Sequence, residues 1–488
     1  MKIVLCPILC FLVCGCSAPS ERLTFPKRPV EISRRGFFYD VHHRGRPDFA
    51  LLSDPSGRVE SVAYDDAGTG RFNRIYPLAE YANDDVPHLI ILLDSIPYHS
   101  MVERYEAGGF RWCDPPQKVI PPFPSLTEIC YSRLLGAPPL PGFVDDYYER
   151  DDHAQADTMW QRLLDGYREP WERRLDYDMS MYQSGLAYLH PRDWYQAELA
   201  LAKKAFDQNP SRVTVVYFAS ASGMLSKYGR DGLQQVLDGV DQMCVQILYE
   251  RQGAVKITLL ADHGHNLKAT TNVDLAPFLQ KAGFHVADQL RSPSDVVLEL
   301  QGLVTYVGVR TNNAAPVAAA LTACPQVNLA IFQDGARLIV RSARGAAAIE
   351  QHQHKLRYLP IDDDVLDYEP VIAKLREAHK VDADGFISDD DWFNATLDQE
   401  YPDGPRRLWD AFHGSVVDPP EIMLTLRDGY AAGRKEFEKF ISMASTHGSL
   451  NQVNSATFVM SMTGRVDKPL RTGQVLAVVE PGFVPSIR

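Results

Sequence analysis

KITLLADHGHN, Lys256 to Asn266, begins as a run of β-forming residues and ends abruptly in Asp262, His263, Gly264 and His265. The run is apolar at nearly every position and lacks polar alternation, the pattern of a strand buried on both faces in a helix-covered parallel sheet. Two further runs share it: HLIILLD, which ends at Asp94, and Val213 to Phe218 in VTVVYFAS. Between VTVVYFAS and KITLLAD lies GLQQVLDGVDQMCVQILYERQG, with apolar residues at helical spacing and Gly253 as a stop signal. Strand, crossover helix and strand predict an α/β fold with a mostly parallel central sheet flanked by helices. Ligands of such sheets collect beyond the carboxyl ends of the strands, where Asp94 and Asp262-His263 are expected to meet.

The 488 residues are 45% hydrophobic and 23% charged, enough for a large core with inserted subdomains. A net charge of −13 with no basic block of five or more gives no electrostatic footprint for a nucleic-acid polymer. Cys6, Cys10, Cys14 and Cys16 cluster at the amino terminus, while Cys113, Cys130, Cys244 and Cys324 show no zinc-knuckle or redox spacing and read as buried thiols.

MKIVLCPILCFLVCGC, Met1 to Cys16, carries one Lys, a short apolar run and small residues before Cys16, the pattern of a secretory signal. Val13-Cys14-Gly15-Cys16 resembles the bacterial lipobox, which implies acylation of Cys16 and attachment in the cell envelope, with Ser17 favouring the periplasmic face of the outer membrane. Membrane contact is then expected through the acyl anchor only. Residues 17–30 are polar and Pro-bearing and read as a tether. FFYDVHHRGRPDFALL and SVAYDDAGTGRFNRIY, within 31–80, repeat an aromatic-Asp pair, a Gly-bearing turn and a polar residue eight positions after the Asp, namely Asp48 and Asn73. They resemble a degenerate calcium loop with too few ligands, and a hairpin-like decoration is expected.

The main domain is expected over 81–488, with a helical cap inserted at 142–209 and an α+β subdomain at 276–418. PEIMLTLRDGYAAG, from Pro420, is expected to return the chain to the main sheet. A hydroxyl joins the strand-end residues from IPPFPSLTEICYSRLLGAPPLPG, where Thr127 follows a Pro-rich turn and opens a helical run ending at Gly136. A helix N-terminus suits a phosphate, since free N–H groups and the dipole both point at it.

ILLDSIP, FPSLT, ADHG and STHGSL, in this order, resemble the alkaline phosphatase superfamily and most closely its type I phosphodiesterase/nucleotide pyrophosphatase branch. The resemblance spans about 89–136, 213–267 and 420–464. It implies a metal-dependent phosphoric ester hydrolase acting on a small phosphoester. By that resemblance, Asp94, Asp262 and His263 hold a divalent cation, zinc or manganese, together with Thr127, the nucleophile that carries a phospho-threonine intermediate. His447 of STHGSL matches the late metal-ligand histidine.

The sequence departs from the family in two places. In YFASASGMLSKYG, Ser222 and Ser226 stand where the family has an Asp and a His of another metal site, so one ion is expected rather than two, and the serines are expected to hydrogen-bond phosphate instead. The interval from Thr127 to Gly136 is one position short, leaving Ser125 as the alternative nucleophile. Glu128 and Arg133 read as solvated helix charges, and His265 either as a phosphate contact or an acid, or as an exposed loop residue without a role. His42, His43, His352 and His354 lack partners at ligand spacing. The competing expectations are a single-metal phosphotransferase on an envelope lipid or glycan, and a lipoprotein that binds a ligand without turnover.

Overall fold

The computed structural model describes residues 18–78, 85–144, 147–149, 154–155, 168–300, 302, 304–433 and 443–487. The lipobox, Cys16 and Ser17 lie outside the described residues.

The central sheet contains β1 (His88–Leu93), β2 (Gln117–Ile120), β3 (Val213–Phe218), β4 (Lys256–Ala261), β5 (Thr457–Ser461) and β6 (Leu470–Arg471), in the spatial order β3-β1-β4-β5-β2-β6. Strands β3, β1 and β4 are parallel, with Val213 and Lys256 both opposite His88. Strand β5 runs against both β4 and β2, and β6 runs with β2. The sheet is therefore mixed. All residues of β1, β3 and β4 are buried, which is why these runs lack polar alternation.

Helices cover both faces. Leu89, Ile91, Leu93, Ile257 and Leu259 pack with helices α4 (Pro191–Gln208) and α5 (Ser220–Glu250), which kinks at Gly229. Ile90, Leu92, Val215 and Leu260 pack on the other face with Tyr131, Leu134 and Leu135 of helix α2 (Thr127–Leu135). Residues 191–208, expected within the cap, instead form a helix of the core, because Tyr195, Leu199, Ala202 and Phe206 share one buried stripe. Of the cap region, helix α3 (Met181–Leu189) stands over the carboxyl ends of the strands.

A second, eight-stranded sheet runs from His285–Val286 to Lys355–Pro360, with Ile422–Leu426 in its middle between Tyr306–Thr311 and Val327–Asp334. Ile422–Leu426 was expected in the main sheet, and the α+β region thus extends past residue 418. Continuous apolarity reports burial on both faces, which the centre of either sheet provides. One side of this sheet packs with Phe123, Leu126 and Ile129, so it buttresses the loop that leads into α2.

Residues 31–77 form a five-stranded antiparallel sheet. Its repeated Asp residues close equivalent turns: Asp40 accepts from the N–H groups of Arg44 (2.7 Å) and Gly45 (2.8 Å), and Asp65 from those of Thr69 (2.9 Å) and Gly70 (2.6 Å). Asp48 and Asn73 accept from Val41 and Asp66, the residues that follow each of those Asp.

From Ala18 the expected tether lies on the body. Ala18 packs beside Met179, Leu186, Ala187 and Trp194, and Phe25 is buried among Tyr39, Phe49 and Tyr249 with its carbonyl accepting from Gln242 (2.6 Å). Cys113, Cys130, Cys244 and Cys324 are free and buried. Among the described residues no helix is long and apolar enough to cross a membrane.

Candidate functional site

Strands β1 and β4 are in register, Leu93 opposite Ala261, so the residues that follow them emerge side by side. These are Asp94 and Asp262-His263. The chain after β1 turns sharply at Ser95, which has φ +68°, a left-handed conformation seldom adopted outside glycine and typical of strained functional sites. That turn aims the Ser95 N–H at Asp262 Oδ1 (2.9 Å) and the Ser95 hydroxyl at Asp94 Oδ1 (2.7 Å). The Tyr217 hydroxyl donates to Asp94 Oδ2 (2.7 Å), and Tyr131 donates to the Leu93 carbonyl (2.8 Å), tying α2 to the strand end.

Asp94, Asp262 and His263 are buried, with one ligand atom from each lying within 4.8 Å of the others; no other such group of three occurs among the described residues. His263 Nδ1 lies 2.9 Å from the Gly264 carbonyl and acts as donor there, which leaves the Nε2 lone pair facing the site. Nε2 is 3.3 Å from Asp262 Oδ2 and 3.4 Å from the Thr127 hydroxyl. Asp262 Oδ2 is buried and makes no hydrogen bond of acceptable geometry. Two lone-pair atoms thus face each other in a buried site, an arrangement that a cation or a proton would relieve. Burial, then the neighbouring Asp262 charge, pushes Asp94 up to about 7; burial likewise raises Asp262 to about 7, against the N–H groups of Ser95 and His263. Burial lowers His263 and keeps it neutral. This donor set of two carboxylate oxygens and one imidazole nitrogen, with the Thr127 hydroxyl adjacent, fits a divalent cation.

Thr127 is the first residue of α2, and no side chain caps that helix, so its first N–H groups face the site beside the hydroxyl. Ser125, the alternative nucleophile, is fully buried and otherwise engaged: it lies 3.3 Å from the Ser449 carbonyl and from Ser455 Oγ, and accepts from Arg407 (3.1 Å). The loop geometry favours Thr127.

His447 reaches the same place from a loop far along the chain, between the second sheet and β5. Its ring stacks on His263 at 4.1 Å, and its Nδ1 donates to the Ser125 carbonyl (3.1 Å). His265 is fully buried rather than exposed, 5.4 Å from His447 between ring centroids, and neither of its nitrogens makes a hydrogen bond of good geometry. Burial first, and then the neighbouring His263 ring, which disfavours a second imidazolium beside it, lower His265 to about 3. Ser222 and Ser226, in the first turns of α5, are buried. Ser222 accepts from Tyr188 of α3 (3.1 Å), and burial, then the nearby Asp94 charge, raises the Tyr188 phenol. The start of α5 therefore supplies hydroxyls and neither carboxylate nor imidazole. Arg133 pairs with Asp410 (3.1 Å), away from the cluster.

Ser95, Tyr217 and Tyr188 were missed in the sequence. Tyr217 alone carried a signal, being the one aromatic hydroxyl in the three apolar runs of β1, β3 and β4. Both glycines of the His-Gly pairs are required by space or conformation: a Cβ at Gly264 would lie 2.4 Å from the Val453 carbonyl oxygen, and Gly448 has φ +121°.

The chain matches no known protein-family model, and no curated protein sequence matches it.

Proposed function

We propose that the protein is a metal-dependent phosphoric ester hydrolase of the phosphodiesterase/pyrophosphatase type, related to the alkaline phosphatase superfamily, with Thr127 as nucleophile. The observation that carries this reading is the convergence of Asp94, Asp262 and His263 on the Thr127 hydroxyl at an uncapped helix start. Hydroxyl, helix N–H groups and metal-type donors in one place suit phosphoryl transfer better than chemistry at an uncharged centre.

In the proposed reaction Asp94, Asp262, His263 and Thr127 would hold a divalent cation, zinc or manganese. When bound, it supplies Lewis acidity that lowers the pKa of the Thr127 hydroxyl and offsets charge on the phosphoryl oxygens. Thr127 Oγ attacks phosphorus, one ester P–O bond breaks, and the departing alcohol takes up a proton. Water then cleaves the Oγ–P bond of the phospho-threonine and restores the hydroxyl. In this reading the N–H groups of the first turn of α2 stabilise the equatorial oxygens, and the Ser222 and Tyr188 hydroxyls, bonded to each other, orient a non-bridging oxygen.

The hydroxyls of Ser222 and Ser226 favour one ion over two, and a one-ion site is also compatible with transfer to an acceptor alcohol in place of water. A panel of aryl phosphodiesters and phosphomonoesters with added zinc or manganese tests the main reading. Hydrolysis by the wild type, its loss in Thr127→Ala, and a metal content near one support it. Activity retained by Thr127→Ala overturns the covalent step.

A further inference from the structure

Ala18 lies near the face that carries the site, and this bears on where the substrate comes from. Ala18 packs in the small cluster of Met179, Leu186, Ala187 and Trp194, which also touches Ala219. Ala219 directly precedes α5, whose Ser222 bonds Tyr188 of α3 beside Asp94 and Asp262. From Ala18 the chain lies along the body to Phe25, which is fixed in an aromatic cluster with Tyr39, Phe49 and Tyr249 and held by Gln242. From Ala18 to Phe25 the segment is thus a strap along the body, with Ala18 on the side of the carboxyl ends of the strands. Ala18 stands two positions after Cys16, a reach of at most about 7 Å. A free tether from Ser17 to Val30 would let the body tumble below its anchor, whereas a strap fixes which face meets the bilayer.

We infer that the site faces the membrane to which Cys16 anchors the chain, and that its substrate is a phosphoester headgroup carried by a lipid of that same leaflet. This rests on the hydrolase reading of Thr127 and on acylation of Cys16. It also accounts for an anchor that leaves so little slack. The site and its substrate share one surface, so capture is a two-dimensional encounter at high effective concentration. Thr127 Oγ forms a bond to the headgroup phosphorus as one ester P–O bond breaks, and water resolves the phospho-threonine, leaving a phosphomonoester and the released alcohol.

The test uses the full, acylated protein in phospholipid vesicles. Gly185→Cys on α3, where a Cβ meets nothing within 4 Å, and Ala254→Cys, exposed at the opposite end of β4, each receive a fluorophore. The described native cysteines are all buried, so labelling is specific. Quenching by headgroup-level quencher lipids is expected at 185 and not at 254. In parallel, the unlabelled protein is offered vesicle phospholipid and a soluble aryl phosphodiester. Release of headgroup phosphate or alcohol at a rate at least tenfold above that of a Cys16→Ala protein in the same suspension is expected. Equal or reversed quenching, or no quenching at either position, overturns the orientation. Turnover of the soluble ester without turnover of vesicle lipid overturns the substrate class while leaving the hydrolase reading intact. Turnover of neither refutes that reading instead.

Discussion

Replacing Asp262 by Asn should change how the stability of the metal-free protein depends on pH. Asp94 and Asp262 both sit at about 7 in the folded chain, chiefly because burial disfavours their charge, against an ordinary value of 3.8. Between these limits the folded state keeps protons that the unfolded state has lost, so stability falls as pH rises through the window. From pH 5 to 7 one such carboxyl costs roughly 3 kcal/mol at about 1.4 kcal/mol per pH unit. The two repel each other, so their costs are not additive. His263, His265 and His447 act in the opposite sense, since burial lowers them and the folded chain gains stability as pH rises toward their ordinary value of 6.5. The wild-type profile is therefore a sum, and the difference between wild type and Asp262→Asn isolates the carboxyl pair. Urea unfolding in the presence of a chelator, at half-unit steps from pH 5 to 7.5, should show the variant gaining roughly 3 kcal/mol relative to wild type. With zinc the order reverses, because the ion needs both carboxylates deprotonated and its stabilisation grows with pH. A difference that stays constant within about 1 kcal/mol across the range, or zinc stabilisation equal in both proteins, would refute the reasoning.

Ser222 and Ser226 are one helical turn apart on the same face of α5, so Ser222→Asp with Ser226→His should raise bound metal from about one ion to about two, read by elemental analysis. Gly264→Ala forces a Cβ to 2.4 Å from the Val453 carbonyl oxygen, and should cost about 2 to 4 kcal/mol in chemical unfolding and weaken metal binding with it. Lys380→Asp should create calcium-dependent stabilisation that the wild type lacks, seen as a melting temperature that rises with calcium only in the variant.

Strands β1, β3 and β4 were legible because burial on both faces leaves an unbroken apolar run. Asp94, Asp262 and His263 were legible because they stand just after two of those strands, while Thr127 opens a helix and His447 lies in a loop, so only their short motifs marked them. The same logic misplaced Ile422–Leu426 and the helix 191–208, since periodicity reports how much of an element is buried and not against what. His265 could be read as an exposed loop residue because the sequence beside it is locally polar. What buries it arrives with Ser445 and His447, from a distant part of the chain. Tyr188 and Ser95 were invisible for different reasons. The first depends on α3 folding back over the strand ends, and the second on a left-handed turn that a serine does not announce.

The acidic loops explain why the Asp94, Asp262 and His263 cluster is the place to look for a cation. Asp40 and Asp65 spend their oxygens on backbone N–H groups of their own turns, which leaves little for a metal. Between the helices Glu369–Glu377 and Asp389–Thr396, the loop KVDADGFISDDD, Lys380 to Asp391, has the spacing of a calcium loop: Asp382, Asp384 and Asp391 stand at ligand positions and Gly385 at the sharp turn. Its first ligand position, however, is Lys380, whose ammonium lies 2.6 Å from Asp391 Oδ1, while Lys355 pairs with Asp382 at 3.0 Å. That loop carries its positive charge covalently and has no need of an ion. At the ends of β1 and β4 the balance is reversed. Among the described residues no lysine or arginine pairs with Asp94 or Asp262, one carboxylate oxygen lacks a hydrogen bond, and an imidazole lone pair faces it at 3.3 Å. Desolvating this group without a cation raises both carboxyls by several kcal/mol of ionisation cost. The loops at Asp40, Asp65 and Lys380 to Asp391 are neutralised internally, whereas the Asp94, Asp262 and His263 cluster is left open beside the Thr127 hydroxyl, which opens an uncapped helix, and that contrast supports the proposal of an ion there.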